Sequence, residues 1–171
     1  MAKVDLQGVA DRLAIQQVLN EHSRGLDRAD EELLAGCYWI EATVDYGIFK
    51  GPALEFVPLV VGALKEGYAL TRHSLSNTVF QFDGHSCRCE TLVTAQHLSP
   101  GRNEDVFYSG RYLDVLRREG DEWRLQHRQV VSDWVRNIQF ENLEDSPQFA
   151  DISRGKHDHS DPSYALFGGA S

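Results

Sequence analysis

Thr71-Arg72-His73-Ser74-Leu75-Ser76-Asn77 is the stretch of sequence at which the spacing of the apolar side chains changes. Before it, apolar residues recur every three or four positions, which is typical of helices that bury one face. From Ala69 onward the pattern has a period of two, which predicts a strand. We expect one face of this strand to carry His73, Leu75, Asn77 and Val79.

The chain before this stretch predicts three helices. The first ends near Asp27, and its apolar stripe consists of Val9, Leu13, Val18, Leu19, His22 and Leu26. Asp30 suits the N-cap of a second helix, whose inward residues are Leu33, Leu34, Cys37 and Tyr38. A short strand over 41–46 follows. Pro52 suits the first turn of a third helix, which ends at Gly67.

Strands make up the rest of the predicted domain. Asp83-Gly84 is a turn signal after the strand that holds His73, and the polar turn 118–121 separates two further long strands. Helices followed by a meander of strands predict an α+β fold, in which a curved antiparallel sheet forms a cone around the helices. We place this single domain at residues 1–136 and expect the polar tail, residues 137–171, to pack on it or on a neighbouring subunit.

Composition argues against several kinds of partner. A net charge of -9 and a pI near 5.2 disfavour nucleic-acid binding, and no apolar run suits a membrane span or a signal peptide. No Gly-rich phosphate loop and no dense cluster of metal ligands is present, so we expect neither cofactor nor metal. The histidines of 157–159 are interpreted as solvated, and the three cysteines as reduced packing residues. The sequence therefore predicts a cytoplasmic protein that binds a neutral or apolar small molecule.

Asp27 and His73 are the residues that most directly suggest chemistry. Asp27 follows the first helical stripe and His73 opens the strand, so both are expected at the rim of one core. A histidine whose second nitrogen meets a buried carboxylate can act as a general base without a metal. The alternatives are a helix-end aspartate paired with Arg28 and a half-buried histidine that only satisfies a hydrogen bond.

Other polar side chains are candidates to complete such a site. Tyr46 ends the first strand and is expected to donate a proton or a hydrogen bond to a leaving oxygen. His22 and Asn77 are expected to contact the substrate, because His22 lies on the core stripe and Asn77 on the face of His73.

Aromatic and basic residues of the strands have two interpretations. Tyr112 and Trp134 are expected to line the substrate pocket, although packing alone explains aromatic residues in a small core. Arg111 and Arg128 are either substrate contacts or members of surface ion pairs.

Short motifs spread over residues 8–135 form a recognisable set. They are Asp11-Arg12-Leu13-Ala14-Ile15-Gln16, Gly25-Leu26-Asp27-Arg28, Asp45-Tyr46-Gly47, Phe49-Lys50-Gly51-Pro52, the strand with His73 and Asn77, Gly110-Arg111-Tyr112, Trp123-Arg124-Leu125 and Asp133-Trp134. This set resembles the nuclear-transport-factor-2-like superfamily of cone-shaped folds, and within it the polyketide-cyclase-like group of small cofactor-free enzymes. The resemblance implies scytalone dehydratase, hexachlorocyclohexane dehydrochlorinase and bile-acid dehydratase as functional relatives, which remove a proton with a histidine paired to an aspartate. Asp27 and His73 match that pair by position.

Three classes of function follow from these observations. The first is a cofactor-independent lyase, in which His73, oriented by Asp27, drives dehydration-like elimination or deformylating cleavage of a small apolar, aromatic substrate. A ketosteroid-type isomerase would instead need a carboxylate base inside the cone, and a binding or association module would need no base. By resemblance to the dehydratases we expect a homo-oligomer, with a trimer favoured over a dimer.

Overall fold

The computed structural model describes residues 5–168, which form helices packed against one six-stranded sheet. The first half of the chain contains α1 (Leu6–Asp27), α2 (Glu31–Gly36), β1 (Tyr38–Asp45), β2 (Lys50–Pro52) and α3 (Ala53–Gly67). The second half contains β3 (Leu70–Asp83), β4 (Ser86–Leu98), β5 (Glu104–Glu119), β6 (Glu122–Gln139) and the short α4 (Pro162–Leu166).

In the first turns of α1, the side chains that face the sheet are not the ones that the sequence predicted. Val9 and Leu13, expected to be buried, are 44% and 67% exposed. Asp11 faces the sheet in their place, because its carboxylate accepts hydrogen bonds from the Trp123 indole and the Arg118 guanidinium. Farther along, Leu19, His22 and Leu26 are buried as predicted, and Ile15, which was not in the predicted stripe, is buried with them.

The caps of the next helices follow local sequence. The predicted N-cap of α2 is confirmed, since the Asp30 carboxylate accepts a hydrogen bond from the Leu33 amide. Pro52 ends β2 and directly precedes α3, where its missing N–H removes no helical hydrogen bond. Strand β1 begins at Tyr38, earlier than predicted, so Tyr38 is buried from a strand rather than from the end of a helix.

The sheet has the strand order β2-β1-β6-β5-β4-β3 and curves around the helices, which confirms the expected α+β architecture. Its neighbouring strands are antiparallel except for β1 and β6, which pair in parallel and make the sheet mixed. On β4, every second residue from Cys87 to Ala95 is buried, so one face of the sheet carries the core and we call it the inner face.

A β-bulge at Asn77 changes which residues of β3 lie on the inner face. Asn77 has a φ of 45°, and the pairing with β4 shifts register between Ser76 and Thr78. The prediction that Asn77 and Val79 share a face with His73 is therefore wrong, because Thr78 replaces Asn77 opposite the buried Thr91. Asn77 is exposed.

The tail folds back on the end of α1 within the same chain. Asp161 pairs with Arg28 at 3.3 Å, and the Tyr164 hydroxyl donates to the Asp30 carboxylate at 2.5 Å. Strand β6 continues to Gln139, beyond the predicted domain end. The division of the chain at residue 136 stays a prediction.

Candidate functional site

Asp27 and His73 meet where the last turn of α1 packs on the start of β3. His73 Nδ1 lies 2.7 Å from Asp27 Oδ1, and the His73 backbone amide donates to Asp27 Oδ2 at 2.9 Å. The Thr71 hydroxyl donates to Oδ1 at 3.2 Å. The side chains of His73 and Asp27 are only 8% and 13% exposed, so the contact is shielded from water.

Hydrogen bonding sets the charge and tautomer of this pair. Burial opposes ionisation of Asp27, but the hydrogen bonds from His73 and Thr71 outweigh it and lower the pKa of the carboxyl below its usual value. An ionised carboxylate only accepts hydrogen bonds, so Nδ1 of His73 carries the proton and Nε2 has a free lone pair when the ring is neutral. Within residues 5–168, Nε2 makes no hydrogen bond.

Two clefts border the pair. One, of about 290 Å³, lies between α1 and β3 and is lined by Asn20, Ser23, Arg24, Asp27, Arg28, His73 and Leu75. The other, of about 530 Å³, lies under the tail. Its lining mixes polar and charged residues with apolar ones: Asp27, Arg28, Thr71, Arg72, Gln96 and Asp105 with Leu70, Leu98, Ile138, Phe140 and Gly155. His73 lines the first cleft, so a ligand would approach the imidazole between α1 and β3.

A buried polar network occupies the interior next to the pair. Arg128 donates two hydrogen bonds to Asp114, at 2.7 and 2.8 Å, and a third to Nδ1 of His22 at 2.8 Å. Since the guanidinium can only donate, His22 must carry its proton on Nε2, which lies 2.7 Å from the Tyr38 hydroxyl. Burial and then the charge of Arg128 hold the pKa of His22 well below its usual value, so His22 is neutral.

Two tyrosines flank this network. The Arg128 guanidinium lies 4.0 Å from the centre of the Tyr112 ring. The Tyr46 ring stacks on Phe56, and its buried hydroxyl, whose polar neighbours are Arg128 and Tyr38, makes no hydrogen bond within 3.5 Å among the described residues. Burial raises the pKa of Tyr46, so this hydroxyl keeps its proton and can donate it in a hydrogen bond.

The structure divides the predicted site residues into three groups. Asp27 and His73 are in direct contact, while His22, Tyr46 and Tyr112 belong to the interior beside them. Asn77 and Trp134 are not brought to the site. Trp134 is 57% exposed and pairs with Ser109 at a register shift of β5 and β6, so the expectation that it lines the pocket is wrong.

The Arg128–Asp114 ion pair is the feature that sequence interpretation missed. Strand arginines usually lie at the surface, yet both side chains are 0% exposed here. A signal was present, because Asp114 lies midway between Tyr112 and Leu116 in the alternation of β5, where an inward carboxylate needs a buried cation.

The two histidines of the tail, His157 and His159, contact the chain near the end of α1. His157 contacts the Leu26 carbonyl oxygen at 3.2 Å, and His159 lies 3.4 Å from Asp30. In the part of the chain that the structure describes, no group of three or more His, Cys, Asp or Glu side chains is arranged to hold a metal ion. None of the helices within residues 5–168 is long and apolar enough to cross a membrane.

Comparison with known proteins bears on this arrangement. No curated protein sequence matches the chain significantly. Among solved structures, hexachlorocyclohexane dehydrochlorinase LinA type 2 is similar with a TM-score of 0.73 and 21% identity, over 81% of this chain and 98% of that one. The type 3 enzyme from Novosphingobium barchaimii LL02 gives a TM-score of 0.72 and 20% identity, over 81% and 99%.

A candidate scytalone dehydratase from Novosphingobium aromaticivorans DSM 12444 has a TM-score of 0.69 and 18% identity, over 78% of this chain and 90% of that one. At these identities the likeness shows the fold. The SnoaL-like domain matches residues 7–129, which is most of the chain and contains both Asp27 and His73. The chain belongs to the SnoaL-like domain family of the nuclear-transport-factor-2-like superfamily.

Proposed function

We propose that the protein is a cofactor-independent lyase, in which His73 is the general base and Asp27 orients it. The observation that carries the proposal is the two-point contact between them, in which both carboxylate oxygens bind His73 at 2.7 and 2.9 Å. Such a contact fixes the ring, the tautomer and the position of Nε2, which are the requirements for a proton acceptor. The substrate is a small, largely apolar molecule with an aromatic body.

The reaction is an elimination. His73 Nε2 takes a proton from a carbon atom, the C–H electron pair becomes the second bond of a C=C, and the leaving group departs from the adjacent carbon with its own electron pair. The Asp27 carboxylate stabilises the imidazolium that forms, and the proton returns to the departing hydroxide or to water. The same base could instead take a hydroxyl proton and drive loss of a carbonyl fragment, which is the deformylating alternative.

Tyr46 is the donor to the leaving group in this proposal. Its buried hydroxyl keeps its proton and makes no hydrogen bond within 3.5 Å among residues 5–168, so it would donate to a substrate oxygen that reaches the interior beside Arg128 and Tyr38. The fully buried Arg128 lies in the same interior, where Asp114 at 2.7 Å offsets its charge.

The contacts of Asp27 favour this reaction over a ketosteroid-type isomerisation. A carboxylate base needs a free oxygen, whereas Oδ1 of Asp27 accepts from His73 and Thr71 and Oδ2 accepts from the His73 amide. The names of the similar structures, a dehydrochlorinase and a candidate dehydratase, also favour elimination. A binding module would explain the cleft but not the oriented histidine.

The assembly that we propose is a homotrimer. Large apolar side chains lie exposed on the sheet, among them Val79 at 66% and Trp134 at 57%, and association would cover them. Light scattering at micromolar concentration should give three times the mass of the chain. A mass of two chains would show that the assembly is a dimer, and the mass of one chain would contradict association.

An activity screen tests the proposed reaction. Hexachlorocyclohexane and scytalone are the first probes, followed by aromatic alcohols and halides that carry an acidic C–H bond beside the leaving group. We expect elimination from at least one probe, and loss of that activity in His73→Ala. His85→Ala is the matched control, because it removes an exposed imidazole in the turn between β3 and β4. Equal activity in both variants would refute His73 as the base.

A further inference from the structure

Arg24 lies beside the Asp27–His73 pair and pairs with no carboxylate within residues 5–168. Its guanidinium donates to the Ser163 hydroxyl at 3.1 Å and lies over the rings of Tyr164 and Phe167, at 4.9 and 5.2 Å from their centres. No Asp or Glu within residues 5–168 pairs with it. The neighbouring Arg28 differs, because its charge is offset by Asp161 at 3.3 Å.

Ser23 provides a second, independent observation on the wall of the same cleft. It is 6% exposed, and its buried hydroxyl has no hydrogen-bond partner among the described residues. A buried hydroxyl without a partner costs about 1–3 kcal/mol, so rotation of the Ser23 side chain toward an acceptor in the cleft would recover that energy. Serine in a helix commonly bonds the carbonyl one turn earlier, and this one does not.

We infer that the cleft between α1 and β3 binds a carboxylate of the substrate, with Arg24 as its counter-charge and the Ser23 hydroxyl as a further donor. The inference rests on the proposed function and narrows its substrate class to small aromatic or apolar acids. The cleft, of about 290 Å³, has room for a carboxylate and the first atoms of the molecule that bears it.

The charged side chains that line the cleft are Arg24, Arg28 and Asp27. The net charge of -9 is spread over the chain and is screened beyond roughly 10 Å, so it does not decide what binds at one arginine. Asp27 is the nearby carboxylate, and the hydrogen bonds that it accepts from His73 and Thr71 leave it negatively charged. Because Asp161 offsets Arg28, Arg24 is the cation that the carboxylate of a ligand would meet, and its attraction must exceed the repulsion from Asp27.

The position of the carboxylate has a consequence for the reaction. His73 lines the same cleft as Ser23 and Arg24, so an acid held by these residues presents its body to Nε2. Binding energy from the non-reacting carboxylate then orients the C–H bond, which is how remote groups of a substrate accelerate a reaction.

Binding of benzoate and of its neutral isostere benzamide tests the inference without knowledge of the substrate. Titration calorimetry should show saturable benzoate binding at millimolar concentrations and at least about fivefold weaker binding of benzamide. Arg24→Gln should weaken benzoate binding by about tenfold and leave benzamide unchanged, because only the anion uses the charge. Ser23→Ala should weaken benzoate binding by about threefold or more.

Two matched variants separate the local charge from other effects. Arg12→Gln removes a guanidinium from the same helix, one that lies over Phe80 and Phe82 about 18 Å along the axis, and should leave benzoate binding unchanged. Arg24→Lys keeps the charge without the planar contacts to the tail, and should retain the preference for benzoate over benzamide.

Several outcomes would overturn the inference. They are equal affinity for benzoate and benzamide, no saturable benzoate binding, and equal losses in Arg24→Gln and Arg12→Gln. His73→Ala separates this inference from the proposed function, because the variant should lose elimination activity and keep the benzoate preference. If His73→Ala stays active, the proposed lyase fails, and benzoate binding still decides the role of Arg24.

Discussion

Asp27 and Tyr46 represent two kinds of buried polar side chain. Asp27 is fully engaged, since both of its oxygens accept hydrogen bonds, and this fixes its neighbour His73. Tyr46 has a buried hydroxyl with no partner among residues 5–168. Native proteins leave few buried groups unpaired, and such groups are frequent where a substrate supplies the missing partner.

Removal of the Tyr46 hydroxyl should therefore separate activity from stability. Tyr46→Phe should lower kcat by about a hundredfold, because it deletes a donor to the leaving group. The free energy of unfolding should be unchanged or slightly higher, because no hydrogen bond is lost. Steady-state kinetics and urea unfolding measure the two quantities.

Tyr108→Phe is the matched control for this prediction. The Tyr108 hydroxyl donates to the Val131 carbonyl at 2.7 Å, so its removal should cost about 1 kcal/mol of stability and leave kcat near the wild-type value. A Tyr46→Phe variant that unfolds more easily and turns over normally would show that the hydroxyl is structural.

At the scale of single elements, Gly25 determines how closely α1 and α2 pack. A Cβ atom at position 25 would lie 2.9 Å from Leu34 Cβ and 3.0 Å from its backbone Cα and N. Gly25→Ala should therefore lower the free energy of unfolding by about 1–3 kcal/mol, because the two helix backbones must separate. Urea unfolding followed by circular dichroism measures this change.

Gly62 in α3 offers the opposite case. A Cβ atom there meets nothing within 4 Å, so Gly62→Ala should raise the free energy of unfolding by about 0.4–1 kcal/mol. Equal effects of the two substitutions would mean that close contact with Leu34 does not limit position 25.

The sequence predicted the positions of the helices and strands well, but predicted less well which side chains of each element face the core. Periodicity identified the helices, the long strands and the cap at Asp30, because these depend on local spacing and local hydrogen bonds. Within the sheet, the wrong faces occur at irregularities of strand pairing, at Asn77 on β3 and near Trp134 on β6. A bulge depends on the partner strand and reverses the alternation after it, so spacing within one strand cannot locate it.

The site shows the same limit. The sequence predicts that Asp27 and His73 meet, because the helical pattern ends at Asp27 and the strand pattern begins at His73, beside a common core. The Arg128–Asp114 pair was not predicted, because an inward charge on one strand requires a partner that only the pairing of β5 with β6 supplies. Arg24 was also missed, because its lack of a carboxylate partner depends on where the tail lies.

At the scale of the whole molecule, Asp161 anchors the tail to the end of α1. Burial opposes its ionisation, but hydrogen bonds from Ser163 and Lys156 and the charge of Arg28 outweigh burial and lower its pKa to about 2. A depressed carboxyl pKa stabilises the folded state above the unfolded value, near 3.9, and this contribution is lost as the pH falls toward the folded value.

Hydrogen exchange of the tail amides should therefore accelerate as the pH is lowered from about 4 to about 2, after correction for intrinsic rates. Asp161→Asn should show fast exchange already at neutral pH and a flatter pH dependence. Asp151→Asn is the control, because it removes the same charge from an exposed part of the tail. Equal exchange in the two variants would contradict the anchoring role of Asp161.

The central claim, that Asp27 and His73 act as one unit, is tested most directly by a double-mutant cycle in kcat/KM. His73→Ala and Asp27→Asn should each lower kcat/KM by about a hundredfold or more, with circular dichroism showing retained structure. The double variant should be about as active as the weaker single variant, because removal of the base leaves nothing for Asp27 to orient. Losses that multiply in the double variant, or near-normal activity of Asp27→Asn, would contradict the account.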